Sequence, residues 1–308
     1  MKLTRVSSAA SPAAVLNGWL IIDKPVGPTS TQVVGAVKRA LREGGYAKVK
    51  VGHGGTLDPL ASGVLPVALG EATKLSGRML DAEKVYDFTI GFGAETDTLD
   101  AEGQVVATSD KRPTLAEIEA VLPRLTGPIE QIPPAFSALK VDGKRAYALA
   151  RAGEEVALKS RRVTIHSLSV TASGPDEVTL EARVSKGTYI RSLARDLARA
   201  VESVGHVTML HRSKTGPFTL EQAISLDKLA ESSKARSLEQ HLLPLTAGLD
   251  DIPALPVTPD QAGALRQGRK LIGIAAQPGL HLATDQNVPV ALVELSGDEL
   301  RVLRGFNL

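Results

Sequence analysis

The chain has 308 residues and no cysteine, which excludes disulfide bonds and thiolate-bound metals. Apolar residues make up 43% of it, ample for a core in one large or two moderate domains. No stretch approaches the roughly 18 consecutive apolar residues of a membrane span, and the N-terminus lacks the apolar core of a signal peptide. We therefore expect a cytoplasmic protein.

The net charge is only +2, but the basic residues are unevenly distributed. Residues 1–50 contain eight lysines or arginines against two acids, and residues 183–214 contain seven against two, whereas residues 246–308 contain five against seven. Two basic segments favour contact with a nucleic-acid backbone, although a solvated basic face is the ordinary alternative. Aromatic residues make up only 3%, which argues against extended stacking of single strands.

The first elements follow an N-terminal segment, residues 1–17, that we expect to be a flexible tail. Trp19 to Ile22 is a short apolar run typical of a strand. Ser30 to Leu41 has the apolar spacing of a helix, with Ser30 as its cap. This part of the chain therefore predicts a strand followed by a helix.

The segment from Gly52 to Pro66, GHGGTLDPLASGVLP, places a single carboxylate, Asp58, in a loop of small residues. Glycines let the backbone approach a ligand closely, and Pro59 biases Asp58 toward an extended conformation. Most Asp-Pro pairs simply form turns. The segment therefore predicts either a turn or a carboxylate that the backbone directs into a cleft.

Alternating strands and helices follow in the middle of the chain. The predicted strands are Val85–Phe92, Val163–Val170 and Val178–Val184. The predicted helices are Thr114–Leu125, with a capping box of Thr114 and Glu117, Tyr189–Val201, and a helical segment over Thr219–Leu229. Turn-forming residues over 246–258 indicate a domain boundary. A short helix, Pro259–Gln267, and strand-like runs near 280–283, 289–295 and 300–303 complete an α+β pattern.

Seven segments, in order, resemble the TruB-type pseudouridine synthases, which act on uridine 55 of tRNA. They are GWLIIDKPVGPTS at 18–30, the Asp58 segment continued by VALGEATK to residue 74, KVYDFTIGFG at 84–93, TDTLDAEG at 96–103, QIPPAFSAL at 131–139, KRAY at 144–147 and SKGTYIRSL at 185–193. The Asp58 segment and SKGTYIRSL are the most specific of these. One departure is Gly54, where many relatives have threonine.

The resemblance implies roles for individual residues. Asp58 is the expected catalytic carboxylate, which attacks as a nucleophile or stabilises positive charge at C1′ of the ribose. Arg191 is expected to pair with it, since arginine stays charged and binds carboxylates through two donors. Tyr86 is expected to stack on the target base and Tyr189 to contact the substrate. The structural alternatives are a turn, a surface ion pair and core aromatics.

Four further positions match the family near the substrate. Leu210 is expected to contact the base, and His53 to take part in flipping the target uridine out of its stem-loop. Lys24 belongs to a segment that supports the active-site loop in the family. In the alternative interpretation, Lys24 contacts a phosphate of the RNA. Asp100 matches a polar position near the site. An ordinary core or turn role is the alternative for each.

The resemblance also implies a pseudouridine-synthase fold with a mixed, largely antiparallel sheet over residues 18–247 and a small β-rich, PUA-like RNA-binding domain over 248–308. The substrate supplies every atom of the reaction, so no cofactor is expected. The scattered histidines and the absence of His-x-x-x-His spacing argue against a metal site.

The expected activity is isomerisation of uridine 55 in the T arm of tRNA, without an obligate protein partner. A pseudouridine synthase acting on another RNA, such as a guided rRNA enzyme, is one alternative. An RNA chaperone that refolds tRNA without chemistry is another.

Overall fold

The apolar and alternating segments pair into a ten-stranded mixed sheet in the computed structural model, which describes residues 15–137, 139–141, 144–146, 149, 152 and 158–308. Its strands are β1 (Gly18–Lys24), β2 (Val51–His53), β3 (Ala61–Leu69), β4 (Lys84–Phe92), β7 (Gly127–Gln131), β10 (Arg161–Ser173), β11 (Glu177–Val184), β12 (Gly205–Thr215), β13 (Phe218–Thr219) and β14 (Leu242–Leu243). Two small hairpins lie outside it: β5 (Ala94–Thr96) with β6 (Val105–Thr108), and β8 (Lys140–Val141) with β9 (Lys144–Arg145).

The strand order of the large sheet is β14-β1-β3-β12-β4-β11-β10-β7, with β2 paired to β3 and β13 paired to β12. Every pairing is antiparallel except that of β3 with β12, which is parallel. The predicted mixed, largely antiparallel sheet is thus confirmed. The parallel pair lies at the centre of the sheet, where β3 begins three residues after Asp58.

Strand β1 shows why the sheet has layers on both faces. Its residues are buried on both sides, as expected of a continuous apolar run. Trp19 and Ile21 enter one core cluster, whereas Leu20 and Ile22 enter another. Strand β11 instead alternates buried with more exposed residues and covers the core with one face.

Six α-helices flank the strands. They are α1 (Ser30–Glu43), α2 (Ser76–Asp81), α3 (Leu115–Val121), α4 (Ile190–Ala200), α5 (Leu226–Lys234) and α6 (Pro259–Arg266), among the described residues. Short 3₁₀ turns cover Gly70–Leu75, Leu122–Leu125, Leu220–Gln222, Leu238–His241 and Leu245–Gly248. Helix α4 buries Leu193 and Leu197 in the core cluster that also contains Phe88 of β4.

Helix α1 begins one residue earlier than predicted. The capping residue is Thr29, whose side chain accepts a hydrogen bond from the Gln32 amide, while the Gln32 side chain accepts one from the Thr29 amide. Ser30 points inward instead, where its hydroxyl bonds the backbone of Leu57. Ser30, predicted to cap the helix, instead links α1 to the Asp58 loop by hydrogen bonds.

Three other expectations differ from the structure. Residues 61–63, interpreted as part of the Asp58 loop, are the start of β3 (Ala61–Leu69), nearly all of which is buried. The central strand β12 was not predicted, since its sequence GHVTMLHRSKT is polar and basic. The helix expected from Thr219 begins at Leu226, where the Ser225 hydroxyl caps the Lys228 amide.

The C-terminal segment forms a second, five-stranded sheet with the order β15-β17-β18-β19-β16. Its strands are β15 (Ala254–Pro256), β16 (Leu271–Ile272), β17 (Gly279–Asp285), β18 (Val288–Ser296) and β19 (Glu299–Gly305). Leu282, Leu292 and Phe306 pack in the same core cluster as Trp19 of β1. The large sheet, its flanking helices and this small sheet confirm the predicted α+β class.

The start of the described chain is packed against the body of the protein. Leu16 is buried, and the Asn17 side chain accepts a hydrogen bond from the Glu71 amide. The remainder of the expected tail, residues 1–14, lies outside the described residues, as does Tyr147 of the KRAY segment. Among the helices that the structure describes, none combines the length and apolar character needed to span a membrane.

Candidate active site

Asp58 and Arg191 form an ion pair in the structure. The Arg191 Nη2 atom lies 2.9 Å from Asp58 Oδ2. The Arg191 side chain is 8% exposed, whereas that of Asp58 is 41% exposed. The cation is therefore fixed in the protein while the carboxylate stays accessible from outside. A reacting atom can therefore reach the carboxylate without displacing buried residues.

Arg191 is held by further acceptors. Its Nη1 atom lies 3.2 Å from Asp100 Oδ2 and donates to the Thr98 carbonyl at 2.8 Å. Its Nη2 atom also donates to the Phe136 carbonyl at 2.9 Å. Asp100 in turn accepts hydrogen bonds from the Thr98 hydroxyl and the Glu102 amide. The planar guanidinium thus bridges two carboxylates in one orientation.

The start of α4 positions Arg191. Gln131, at the end of β7, is buried, and its side chain makes two hydrogen bonds with the backbone of Tyr189. Its Oε1 atom accepts from the Tyr189 amide at 2.8 Å, and its Nε2 atom donates to the Tyr189 carbonyl at 3.1 Å. Ser192 donates to the Ile132 carbonyl at 2.8 Å. These bonds anchor the residues on either side of Arg191.

Three elements hold the Asp58 loop. The Ser30 hydroxyl of α1 accepts from the Leu57 amide at 2.8 Å and donates to the Leu57 carbonyl at 3.0 Å. On the other side of Asp58, the Pro59 carbonyl accepts from the Gly27 amide at 2.8 Å and from Lys24 Nζ at 3.3 Å. The backbone before and after the carboxylate is therefore fixed.

A cavity of about 270 Å³ opens beside Asp58 and Arg191. Its lining includes Tyr86, Tyr189 and Leu210, the residues expected to contact the base. Burial raises the pKa of the Tyr189 phenol, which keeps its hydroxyl neutral. The cavity therefore combines aromatic and aliphatic walls with one accessible carboxylate, as expected for a pocket that takes a planar base.

Asp58 and Arg191 also border a second cavity of about 580 Å³, on the side of Thr29, Asp97 and Asp100. The ion pair thus lies between two open spaces. The lining of the first includes Tyr86 and Tyr189, whereas the lining of the second includes Phe136 among mainly polar residues.

His53 and Lys24 lie near the loop but outside the lining of the aromatic cavity, as far as the described residues show. His53 ends β2, and burial, assisted by the Arg212 charge, lowers its pKa. Lys24 is buried, and its pKa falls to about 8 mainly through that burial. Its Nζ atom donates to the Pro25 and Pro59 carbonyls. These contacts match the interpretation of Lys24 as a support for the loop.

Sequence reasoning missed two cations that line the cavity, Lys84 and Arg212. Each lies two residues from an expected base-contacting residue on the same strand, Tyr86 on β4 and Leu210 on β12. Because alternate residues of a strand share a face, this spacing was a usable signal once the strands were known. Strand β12 was not predicted, so the signal for Arg212 was not available.

The family is shown by comparison with known proteins. Residues 41–190 match the family model described as "TruB family pseudouridylate synthase (N terminal domain)", and residues 191–250 match "tRNA pseudouridylate synthase B C-terminal domain". The "tRNA pseudouridine synthase B" of Zymomonas mobilis is 63% identical over 297 residues, covering 96% of this chain and 98% of that protein. The protein of the same name from Novosphingobium aromaticivorans is 62% identical over 299 residues, covering 96% and 98%.

Solved structures share the fold. The structure titled "Crystal Structure of a Cbf5-Nop10-Gar1 Complex" aligns with a TM-score of 0.72 at 25% identity, covering 94% of this chain and 85% of that chain. The archaeal box H/ACA sRNP Nop10-Cbf5 complex aligns with a TM-score of 0.71 at 23% identity, covering 94% and 86%. These likenesses confirm the pseudouridine-synthase fold.

The fold, the family matches and the two close relatives define the class of this protein as a pseudouridine synthase, an isomerase. The chain belongs to the TruB family of pseudouridylate synthases.

Proposed function

We propose that this enzyme converts uridine 55 in the T arm of tRNA to pseudouridine. The observation that carries the proposal is the accessible Asp58 carboxylate, fixed on Arg191 at the mouth of a base-sized cavity. The two relatives named "tRNA pseudouridine synthase B" support tRNA as the substrate, because each aligns with nearly the whole chain.

The reaction breaks the bond between N1 of uracil and C1′ of the ribose and forms a bond between C5 and C1′. In the proposed first step the bonding electron pair leaves with the uracil ring, while Asp58 attacks C1′ or stabilises its positive charge. After the base has turned, C5 bonds to C1′, the C5 proton is lost and N1 gains a proton. The product is an isomer of the substrate, so the balance requires no oxidant or reductant.

The residues around the cavity divide the remaining tasks. Tyr86 and Tyr189 present aromatic rings to the flipped base, and Leu210 supplies an apolar wall. Arg191 orients Asp58, and Asp100 orients Arg191. His53 helps to displace the uridine from its stem-loop, and Lys24 holds the Asp58 loop through Pro59. The exposed lysines and arginines bind the RNA backbone in the cytoplasm.

The proposal is tested with short RNAs. A T-arm stem-loop carrying uridine at position 55 is expected to yield pseudouridine. The same stem-loop with cytidine there is expected to bind with similar affinity but yield no product, because phosphate contacts carry no sequence information. An rRNA fragment is the matched alternative substrate. Modification of that fragment, with none of the stem-loop, would assign the chain to a synthase of another RNA. Binding and refolding of tRNA without any product would assign it to an RNA chaperone.

A further inference from the structure

The aromatic cavity contains more positive than negative charge. Three cations and one carboxylate line it, namely Lys84, Arg191, Arg212 and Asp58. The charge of Arg191 is fully compensated, because two carboxylates, Asp58 and Asp100, contact it. Lys84 and Arg212 form no ion pair among the described residues, and the hydrogen bonds of each go to backbone carbonyls. Neither of these buried positive charges therefore has a direct counter-ion at the cavity, and the charge of Asp81 offsets the effect of burial on the pKa of Lys84 only in part.

Lys84 is held by the end of α2. Its side chain is buried, and Nζ donates to the carbonyls of Met79, Leu80 and Ala82 at 2.9, 2.7 and 2.6 Å. The C-terminus of a helix favours a cation, because its free carbonyls point outward. All three donors of the ammonium group are used, so its position is fixed while its charge is not neutralised.

Arg212 is held by the Asp58 loop and by β3. It is 1% exposed, and its donors reach the carbonyls of Val64, Gly55 and Thr56 at 2.9, 3.2 and 3.4 Å. Its charge contributes to lowering the pKa values of Lys24, His53 and Lys84, with burial the larger cause in each case. A buried cation without a counter-ion is costly, which indicates that the site serves an anion.

Strand register places both cations beside the proposed base platform. Lys84 and Tyr86 are alternate residues of β4, and Arg212 is the cross-strand partner of Tyr86. The Arg212 guanidinium carbon lies 6.0 Å from the centre of the Tyr86 ring. A base on Tyr86 would therefore lie next to two fixed and buried positive charges, which water screens less than exposed ones.

We propose that Arg212 and Lys84 stabilise negative charge that develops on the uracil ring during the reaction, and that the cavity therefore prefers an anionic uracil-like ring to a neutral one. The inference rests on the proposed function and adds a role for two residues to it. Neither residue is needed as a proton donor or acceptor, because each acts through its fixed charge.

Negative charge on the uracil ring arises in the reaction itself. When the N1–C1′ bond breaks, its electron pair stays on the ring and spreads over N1 and the carbonyl oxygens, while C1′ gains an oxygen of Asp58 or carries a positive charge. If the carboxylate instead adds to the ring at C6, an electron pair of the ring shifts onto the C4 oxygen. Negative charge builds on the base by either route, and Asp58 itself cannot stabilise it.

Binding of free bases tests the inference without the isomerisation. The probes are uracil and barbiturate, a ring of nearly the same shape that is ionised near neutral pH, each titrated by NMR into the full-length protein. We expect the wild type to bind barbiturate about tenfold more tightly than uracil. Arg212→Gln and Lys84→Met should each bring that ratio close to one. Arg212→Lys, which keeps the charge, should retain most of the preference.

The ratio of the two affinities separates charge from structure, because a distorted cavity weakens both rings together. Arg78→Gln is the matched control, since it removes one cation outside the cavity lining, and it should leave the ratio unchanged. If Arg212→Gln does not fold, Lys84→Met and Arg212→Lys still test whether the preference for barbiturate depends on these charges. An equal affinity of the wild type for both rings would overturn the inference, as would a preference that survives in folded Lys84→Met.

The outcome is independent of the test of the proposed function. Pseudouridine formation in the T-arm stem-loop measures the reaction and its RNA, whereas the ratio of affinities measures the charge of the cavity. If the enzyme forms pseudouridine but shows no preference for barbiturate, the role of Arg212 and Lys84 is refuted while the proposed function stands.

Discussion

At the scale of single residues, the site combines an accessible carboxylate with cations that are almost fully buried. Arg191 is desolvated and shared between Asp58 and Asp100, so it has one orientation. Asp58 keeps part of its surface open to the cavity. The position of this carboxylate is therefore set by its ion pair with Arg191 and not by its own burial.

Asp58→Asn is expected to abolish pseudouridine formation while leaving the affinity for RNA nearly unchanged. The substitution keeps the shape of the side chain and removes its negative charge, so neither nucleophilic attack nor stabilisation of C1′ is possible. Product is measured in single-turnover reactions, and affinity by titration with the stem-loop. Asp110→Asn, at an exposed position, is the control that should remain active. Near-normal product from Asp58→Asn would refute the role.

The lowered pKa of Lys24 leads us to expect that the free energy of unfolding depends on pH. Its pKa falls from an ordinary 10.5 to about 8 in the folded protein, mainly through burial. Between these values the unfolded chain binds more protons, so a rising pH favours the folded state. The free energy of unfolding of the wild type, relative to Lys24→Met, should rise over this range by up to about 1.4 kcal/mol per pH unit.

The measurement is urea denaturation at several pH values between about 7 and 10. The difference should level off as the pH falls below about 7, since Lys24 is then protonated in both states. The same comparison with Lys38→Met, an exposed position on α1, should give no slope. A flat difference for Lys24→Met over the whole range would contradict the lowered pKa.

At the scale of elements, the active site is assembled by backbone ties between segments far apart in sequence. Helix α1 reaches the Asp58 loop through Ser30, and β7 reaches the start of α4 through Gln131. The parallel pairing of β3 with β12 brings Arg212 to the loop that precedes β3. Each tie satisfies buried polar groups that would otherwise be unpaired.

Gln131→Leu is expected to lower the free energy of unfolding by about 2–4 kcal/mol, since it leaves the amide and carbonyl of Tyr189 unsatisfied in a buried place. Turnover should also fall, because Tyr189 and Arg191 are positioned by the same turn. Chemical denaturation and single-turnover rates provide the two measurements. Glu130→Gln, at the exposed neighbouring position, is the control. Wild-type stability in Gln131→Leu would show that the tie is dispensable.

At the scale of the whole molecule, the two sheets share one core. Trp19 of the large sheet and Leu282, Leu292 and Phe306 of the small sheet belong to one cluster. Lys74 adds a hydrogen bond to the Gly305 carbonyl, and Glu71 accepts one from the Asn307 amide. Removal of residues 248–308 therefore exposes apolar surface of the catalytic body.

Phe306→Ala is expected to destabilise the protein by about 3–5 kcal/mol, as large-to-small substitutions in a core do. Leu303→Ala, only three residues away but 52% exposed, should cost less than about 1 kcal/mol. Thermal and urea unfolding of the full chain measure both. Equal losses of unfolding free energy in the two variants would contradict the expected contribution of the shared core to stability.

RNA affinity should fall as salt rises, because exposed cations displace counterions from phosphates. Of the basic residues in 183–214, Arg191 and Arg212 are buried, so they do not belong to the external charge. In the other basic segment, residues 1–50, Lys50 is exposed, directly precedes β2 and forms no ion pair among the described residues. Lys50→Gln should reduce the slope of log affinity against log salt by about one. Lys111→Gln, paired with Glu117 and Glu202, should leave it unchanged. A salt-independent affinity would contradict the electrostatic interpretation.

The sequence by itself determined the class of fold and predicted which residues react. The strand at Trp19, the helices around Val33 and Leu193, and the Asp58 motif are local signals, because periodicity, capping and small-residue loops depend on near neighbours. The resemblance of ordered segments then identified the family. These signals required no knowledge of contacts between distant residues.

Only the tertiary structure decided how the charges other than the expected pair of Asp58 and Arg191 are arranged. Strand β12 is a central strand despite its polar sequence, because it is paired on both sides, and tertiary context overrides the weak propensity. Ser30 proved to be a tie and not a cap, and Lys84 and Arg212 proved to be buried at the cavity. Burial and pairing of a charge depend on residues far away in the chain, which is why the electrostatics of the site emerged only from the fold.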